Sequence, residues 1–282
     1  MKSALKLYLA NVVCLSTLLA AGSAQAIYQN GGFEVNSFVN WSVGGGENFG
    51  LGGSEPFTGA SVLITGNLPG PVSIAAAGND PRAPMLSLPR IGSYTAKIND
   101  EASGFKLTTL AQTDVITAAD RDALDNRLHL RFTFAPVLEN PSHTPNQQPY
   151  FYVRVRNVTD NVTLFEQFAY ANQPGSNFQS GNGDWKFLPF QVIDALLPDS
   201  ALNKQIETYV VAADCAQGNH GGYVYVDGFG SQPINVLPPV QTVPAPSLNH
   251  YVLYLLAGLV ALSGGWIMRP SAENRAATRA SI

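Results

Sequence analysis

Between Leu128 and Phe134 every second residue is apolar. Leu128, Leu130, Phe132 and Phe134 alternate with His129, Arg131 and Thr133. Side chains two apart share one face of an extended chain, so this period specifies a strand with a buried face. The pattern recurs. Phe151, Val153 and Val155 alternate with Tyr152, Arg154 and Arg156, and Val224 and Val226 alternate with Tyr223, Tyr225 and Asp227. Further strands are expected over 61–65, 94–98, 107–117, 162–168, 185–193 and 206–212, with one or two helical turns over 118–125. Turn-forming clusters such as Asn140-Pro141-Ser142-His143 separate them. Many short strands with Gly- and Pro-rich connections predict an all-β body, a jelly-roll β-sandwich.

Charge narrows the function classes. The 282 residues include 16 Lys+Arg and 20 Asp+Glu, and only 13% are charged. No basic excess exists to neutralise phosphates, which argues against nucleic acid as a partner. Lys2 and Lys6 lie at one end, and Arg269, Glu273, Arg275 and Arg279 at the other. The stretch between them carries 11 basic and 19 acidic residues, so an acidic body is flanked by two cationic ends.

Those ends read as targeting segments. Residues 1–26 carry the parts of a secretory signal peptide: a positive start, an apolar run over 7–19, and Ala24-Gln25-Ala26 as the small-x-small cleavage site at Ala24 and Ala26. The mature chain is then expected to begin at Ile27. Residues 251–268 are uncharged and apolar, near the lower length limit for crossing ~30 Å of hydrocarbon as one C-terminal transmembrane helix. Tyr251, Tyr254 and Trp266 lie near its ends, where amphipathic rings favour the membrane interface. The Arg-containing tail stays cytoplasmic by the positive-inside rule, which puts the body on the other side. The expected division is signal peptide 1–26, β-sandwich 27–233, Pro-rich linker 234–246 and C-terminal segment 247–282.

Pro246-Ser247-Leu248-Asn249-His250-Tyr251 resembles the Ile-Pro-Thr-Leu-Ser-Glu-Trp motif of IPTL-CTERM sorting domains. Val243-Pro244-Ala245-Pro246 is similar to the related PEP-CTERM motif. The resemblance marks Pro246, Ser247, Leu248 and Tyr251 as the sorting motif. It implies an exosortase-type enzyme as partner, removal of the tail, and delivery to the cell surface or extracellular matrix of a Gram-negative bacterium.

The body carries a second resemblance. Asn30-Gly31-Gly32-Phe33-Glu34, followed by Trp41, resembles the opening of galactose-binding-like jelly rolls. Tyr225-Val226-Asp227-Gly228-Phe229 is similar to their closing strand. Many carbohydrate-binding modules share this bracket. The resemblance implies a structural Ca²⁺ held by Glu34, Asp227 and backbone carbonyls, a donor set that suits a hard cation. The alternative leaves Glu34 on the surface and Asp227 in a turn. The stretches Glu139 to Phe151 and Asp214 to Tyr223 resemble a motif pair of exported bacterial β-domains, which implies export and no particular activity.

Reactive chemistry is sparse. Cys215 is the single cysteine after Cys14 leaves with the signal peptide, so no disulfide forms within the mature chain. A free Cys behaves as a small hydrophobe. The competing reading is a zinc-type site built from Asp214, Cys215 and His220, with His143 as a further ligand, although the spacing matches no zinc signature. No Gly-x-Ser-x-Gly elbow occurs. The Gly44-Gly45-Gly46 cluster lacks a P-loop's Lys-Ser/Thr ending and reads as a flexible loop. Tyr223 and Tyr225 share one strand face, which is either a sugar-stacking platform or a partly covered outer face; Trp41, Tyr150, Tyr152 and Trp185 are the other aromatic candidates, with Trp41 and Trp185 read first as core residues. The expected function is a non-enzymatic envelope or matrix component. The alternatives are a carbohydrate-binding module and an extracellular hydrolase with a carboxylate pair.

Overall fold

The computed structural model describes residues 27–68 and 70–234. The signal peptide, the sorting motif, the membrane segment and all but the first residue of the linker lie outside the described residues. Among those described, no helix is long and apolar enough to cross a membrane.

The strands are β1 Ser42–Glu47, β2 Val72–Ala75, β3 Gly78–Asn79, β4 Ser87–Leu88, β5 Thr95–Ile98, β6 Lys106–Val115, β7 Leu128–Glu139, β8 Tyr150–Asn157, β9 Val162–Tyr170, β10 Gln179–Ser180, β11 Trp185–Phe187, β12 Gln191–Leu197, β13 Gln205–Ala213 and β14 Gly222–Gly230. They build an antiparallel β-sandwich. One sheet runs β1-β6-β13-β8-β9, the other β10-β11-β7-β14-β5-β2, and β12 also pairs with β7. The small β3–β4 pair stands apart.

The inner faces meet in the main core. Leu130, Phe132 and Phe134 of β7 with Val224 and Val226 of β14 face Leu110 of β6, Val210 of β13 and Val153 of β8. Each is fully buried. Burying such side chains contributes about 1.5–3 kcal/mol apiece, the main force holding the sheets together.

Both outer faces are covered as well. Leu51 and Phe57 pack over Leu107, Tyr150, Tyr152 and Val211 on the first sheet. Ala83, Leu86 and Leu88 pack over Ala135, Val137, Trp185 and Tyr223 on the second. Period two therefore records only the inner layer. Many residues alternating with it, such as Thr133, Tyr152, Tyr223 and Tyr225, are buried too, because connections fold over them, while His129, Arg154 and Arg156 stay half-buried.

Four local expectations change. Gly44, Gly45 and Gly46 lie in edge strand β1, paired with Thr109, Thr108 and Leu107. Glycine is required there by close approach: a Cβ on Gly46 would meet the Thr65 carbonyl oxygen at 2.4 Å. Residues 61–65 form no strand; a 3₁₀ turn, Gly59–Ser61, precedes a single bridge from Thr65 to Glu47. The expected strand over 185–193 splits at Pro189, and the helical expectation reduces to a 3₁₀ turn at Ala118–Asp120.

Candidate functional site

The two ends of the described body meet. The Phe229 amide donates to the Gly31 carbonyl at 3.0 Å, so β14 closes against the Asn30–Glu34 turn. Trp41 stacks on Phe33, tilts against Phe229, and donates its Nε1 to the Asn30 carbonyl at 3.1 Å. Trp41 is thus a core plug, 7% exposed.

That closure brings Glu34 and Asp227 to one backbone segment. Glu34 accepts from the Ser93 amide at 2.9 Å (Oε1) and 3.1 Å (Oε2), and its Oε1 accepts from Tyr94 at 3.3 Å. Asp227 Oδ2 accepts from the Ile91 amide at 3.1 Å. Asp227 Oδ1 is buried and has no hydrogen-bond partner. Burial, with a contribution from the Glu34 charge, pushes the Asp227 carboxyl up to about 8. A buried carboxyl oxygen with no partner is a disfavoured arrangement, while Glu34 itself is exposed and its two oxygens are met by backbone amides. Oxygen donors of this kind fit a hard cation such as Ca²⁺, which takes 6–8 oxygens and would draw the remainder from backbone or water.

Tyr223 and Tyr225 do not form an exposed platform. They are 0% and 2% exposed, and both hydroxyls donate to Asp80 Oδ2, at 2.7 and 2.8 Å. The Lys97 ammonium sits 3.9 Å from the Tyr223 ring centroid. Alternation placed the two rings on one face correctly, but the segment over 80–88 covers that face. Trp185, Tyr150 and Tyr152 are buried too.

An open groove lies elsewhere, along edge strand β9. Its volume is about 510 Å³. Five carboxamide residues are among its lining: Gln167, Gln173, Asn177, Gln179 and Gln191. Phe168 and Ser176 line it too; the half-buried Phe168 ring packs against Tyr150, 5.8 Å between centroids. The lining includes no acidic, basic or histidine side chain. Sequence reasoning missed these residues, since lone Gln and Asn scattered over 25 positions form no motif.

No family model and no curated protein matches the chain. Among solved structures, a family 27 carbohydrate-binding module from Caldicellulosiruptor saccharolyticus, in complex with mannohexaose, is similar at 16% identity and TM-score 0.33, covering 58% of this chain and 82% of that one. A family 28 module specific for non-crystalline cellulose gives 12% identity and TM-score 0.34, covering 72% and 92%. A family 11 module from Clostridium thermocellum gives 11% identity and TM-score 0.27, covering 70% and 90%. No residue role is carried over from these distant likenesses.

Proposed function

We propose that the body is a non-catalytic polysaccharide-binding domain, exported and held at the surface of a Gram-negative cell as an envelope or matrix component. The observation that carries this reading is the carboxamide-lined groove beside Phe168. Each carboxamide both donates and accepts, matching sugar hydroxyls, and an aromatic ring offers a face to the apolar side of a pyranose. Neutral walls suit an uncharged glycan. Glycoside hydrolysis needs two carboxyl groups across the scissile bond, and the groove has none. Sorting by an exosortase-type enzyme through Pro246, Ser247, Leu248 and Tyr251 is part of the same reading.

The test is retention of the purified protein in gels containing neutral polysaccharides of differing linkage. Phe168→Ala and Gln179→Ala are expected to abolish retention while leaving the melting temperature within a few degrees. Absence of retention on every neutral glycan would overturn the proposal.

A further inference from the structure

The loop from Cys215 to His220 is drawn shut at its base. The Cys215 amide donates to the His220 carbonyl at 2.9 Å, and the Gly218 amide donates to the Cys215 carbonyl at 3.1 Å. Gly218 has φ +78°, the left-handed turn that lets the chain reverse. Closure sets the two side chains together, with Cys215 Sγ 3.5 Å from His220 Nδ1.

A second loop brings His143 to the same point. The buried Gln148 carboxamide donates to the carbonyls of Pro141 and His143, both at 2.9 Å, and fixes that loop from behind. The Ala216 amide donates to the Gln147 carbonyl at 3.0 Å and ties the loops to each other. The imidazoles of His143 and His220 then lie 5.0 Å apart, centroid to centroid, at 73°. One ligand atom from each of His143, Cys215 and His220 falls within 4.8 Å of the other two.

A thiol–imidazole hydrogen bond explains only part of this. It accounts for Cys215 and His220 but leaves His143 Nε2, which is buried and has no hydrogen-bond partner. A buried ring nitrogen with nothing to bond is costly. A metal ion resolves all three groups together. With Zn–S at ≈ 2.3 Å and Zn–N at ≈ 2.0–2.1 Å, tetrahedral angles separate sulfur from nitrogen by about 3.5 Å. The Cys215–His220 pair already has that separation.

The neighbouring carboxylate is otherwise engaged. Asp214 accepts from Asn99 Nδ2 at 2.8 Å and from the amides of Lys106 and Gly222 at 3.2 and 3.3 Å. It orders the loop from behind and is not a ligand. One sulfur and two imidazoles remain, a set that selects a thiophilic ion over calcium or magnesium. Cys215 and the His143 Nε2 atom are buried, while other atoms of the two half-buried imidazoles reach solvent. Three protein ligands with an open position are the pattern of a zinc ion that keeps a water.

We propose that Cys215 Sγ, His220 Nδ1 and His143 Nε2 form a zinc site with one position left for water. Binding converts the thiol to a thiolate and releases one proton to solvent per ion bound. The site is independent of the groove and of the Glu34–Asp227 pair.

The test uses the full-length protein, stripped with chelator and titrated with Zn²⁺ by calorimetry, then with Co²⁺ by absorption. One ion per chain is expected, with a thiolate-to-cobalt charge-transfer band and a proton-release heat that varies with the buffer. Cys215→Ser should remove the charge-transfer band. His143→Gln should weaken Zn²⁺ binding beyond the ~10–100-fold typical of outer-shell changes. Because Cys215 is buried, His143→Gln carries the test if the serine variant fails to fold, with fold checked by circular dichroism. Glu34→Gln should leave Zn²⁺ binding unchanged. Absence of Zn²⁺ binding, or binding untouched by His143→Gln in a folded protein, would overturn the proposal.

Discussion

The amide nitrogen of Ile27 lies 2.6 Å from Oδ1 of Asp120, and both residues are almost fully buried. The other carboxylate oxygen of Asp120 accepts from the Thr117 amide at 2.7 Å and the Thr117 hydroxyl at 2.9 Å. Ile27 is also the first residue after the expected cleavage site. Cleavage there would turn a neutral amide donor into an ammonium facing a buried carboxylate.

The chain starting with a free Ile27 amine is therefore expected to exceed an N-acetylated form in stability by about 2 kcal/mol, the scale of a charge-assisted hydrogen bond. Urea unfolding of the two forms measures the difference. Asp120→Asn should reduce the gap to near zero. Equal stability of the amine and acetyl forms would show that the ammonium adds nothing.

Asp80 is expected to be a stability residue rather than a binding residue. Its Oδ2 takes both tyrosine hydroxyls, and its Oδ1 accepts from the amides of Arg82 and Ala83 at 2.8 and 2.5 Å. Asp80→Ala strands two buried hydroxyls and should cost about 3 kcal/mol or more, while Tyr223→Phe should cost about 2 kcal/mol. Denaturant midpoints report both. Glycan retention should be unchanged in Tyr223→Phe, since the ring does not line the groove.

The contrast between Tyr223 and Phe168 shows what sequence can carry here. Strands β7, β8, β13 and β14 are legible because their inward residues repeat at period two. The bracket of Asn30–Glu34 and Tyr225–Phe229 is legible through its resemblance to the opening and closing segments of galactose-binding-like jelly rolls, and the structure brings the two segments together. The covering of Tyr223 by Leu86 and Leu88 is illegible, since it depends on where a loop folds and not on the strand's own pattern. The groove is illegible for a related reason: Gln167 of β9 and Gln191 of β12 line one cavity only through the way the two sheets pack. The His143–Cys215–His220 cluster falls between these cases. Its residues stand in two quoted motifs, but 72 positions separate His143 from Cys215, so no ligand spacing could signal it.

If Glu34 and Asp227 hold calcium, as the resemblance to galactose-binding-like jelly rolls implies, chelation is expected to lower the melting temperature, because a ligand that binds only the folded state adds RT ln(1 + [L]/Kd) to its stability. Asp227→Asn should abolish the calcium response and, by removing a carboxyl whose ionisation burial disfavours, raise stability in chelator at neutral pH and above. Thermal melts with and without Ca²⁺ distinguish these outcomes. A wild-type melting temperature indifferent to calcium would rule out the Glu34–Asp227 site.

Two buried carboxyls, those of Asp227 and Asp214, set a pH dependence. Asp227 is raised from 3.8 to about 8, and Asp214 to about 7, each chiefly by burial. The folded state then holds protons that the unfolded state has already released between pH ~4 and the raised values. Stability contributed by these carboxyls is full below pH ~4 and is lost as pH rises through 7 and 8, at up to about 1.4 kcal/mol per pH unit for each group. Calcium favours the ionised form of Asp227, so its presence should flatten that part of the decline. Unfolding free energies measured from pH 4 to 9, in chelator and in calcium, are expected to diverge as pH rises. Parallel curves would separate Asp227 from any cation, and an Asp227→Asn variant that kept the full slope would assign the titration to Asp214.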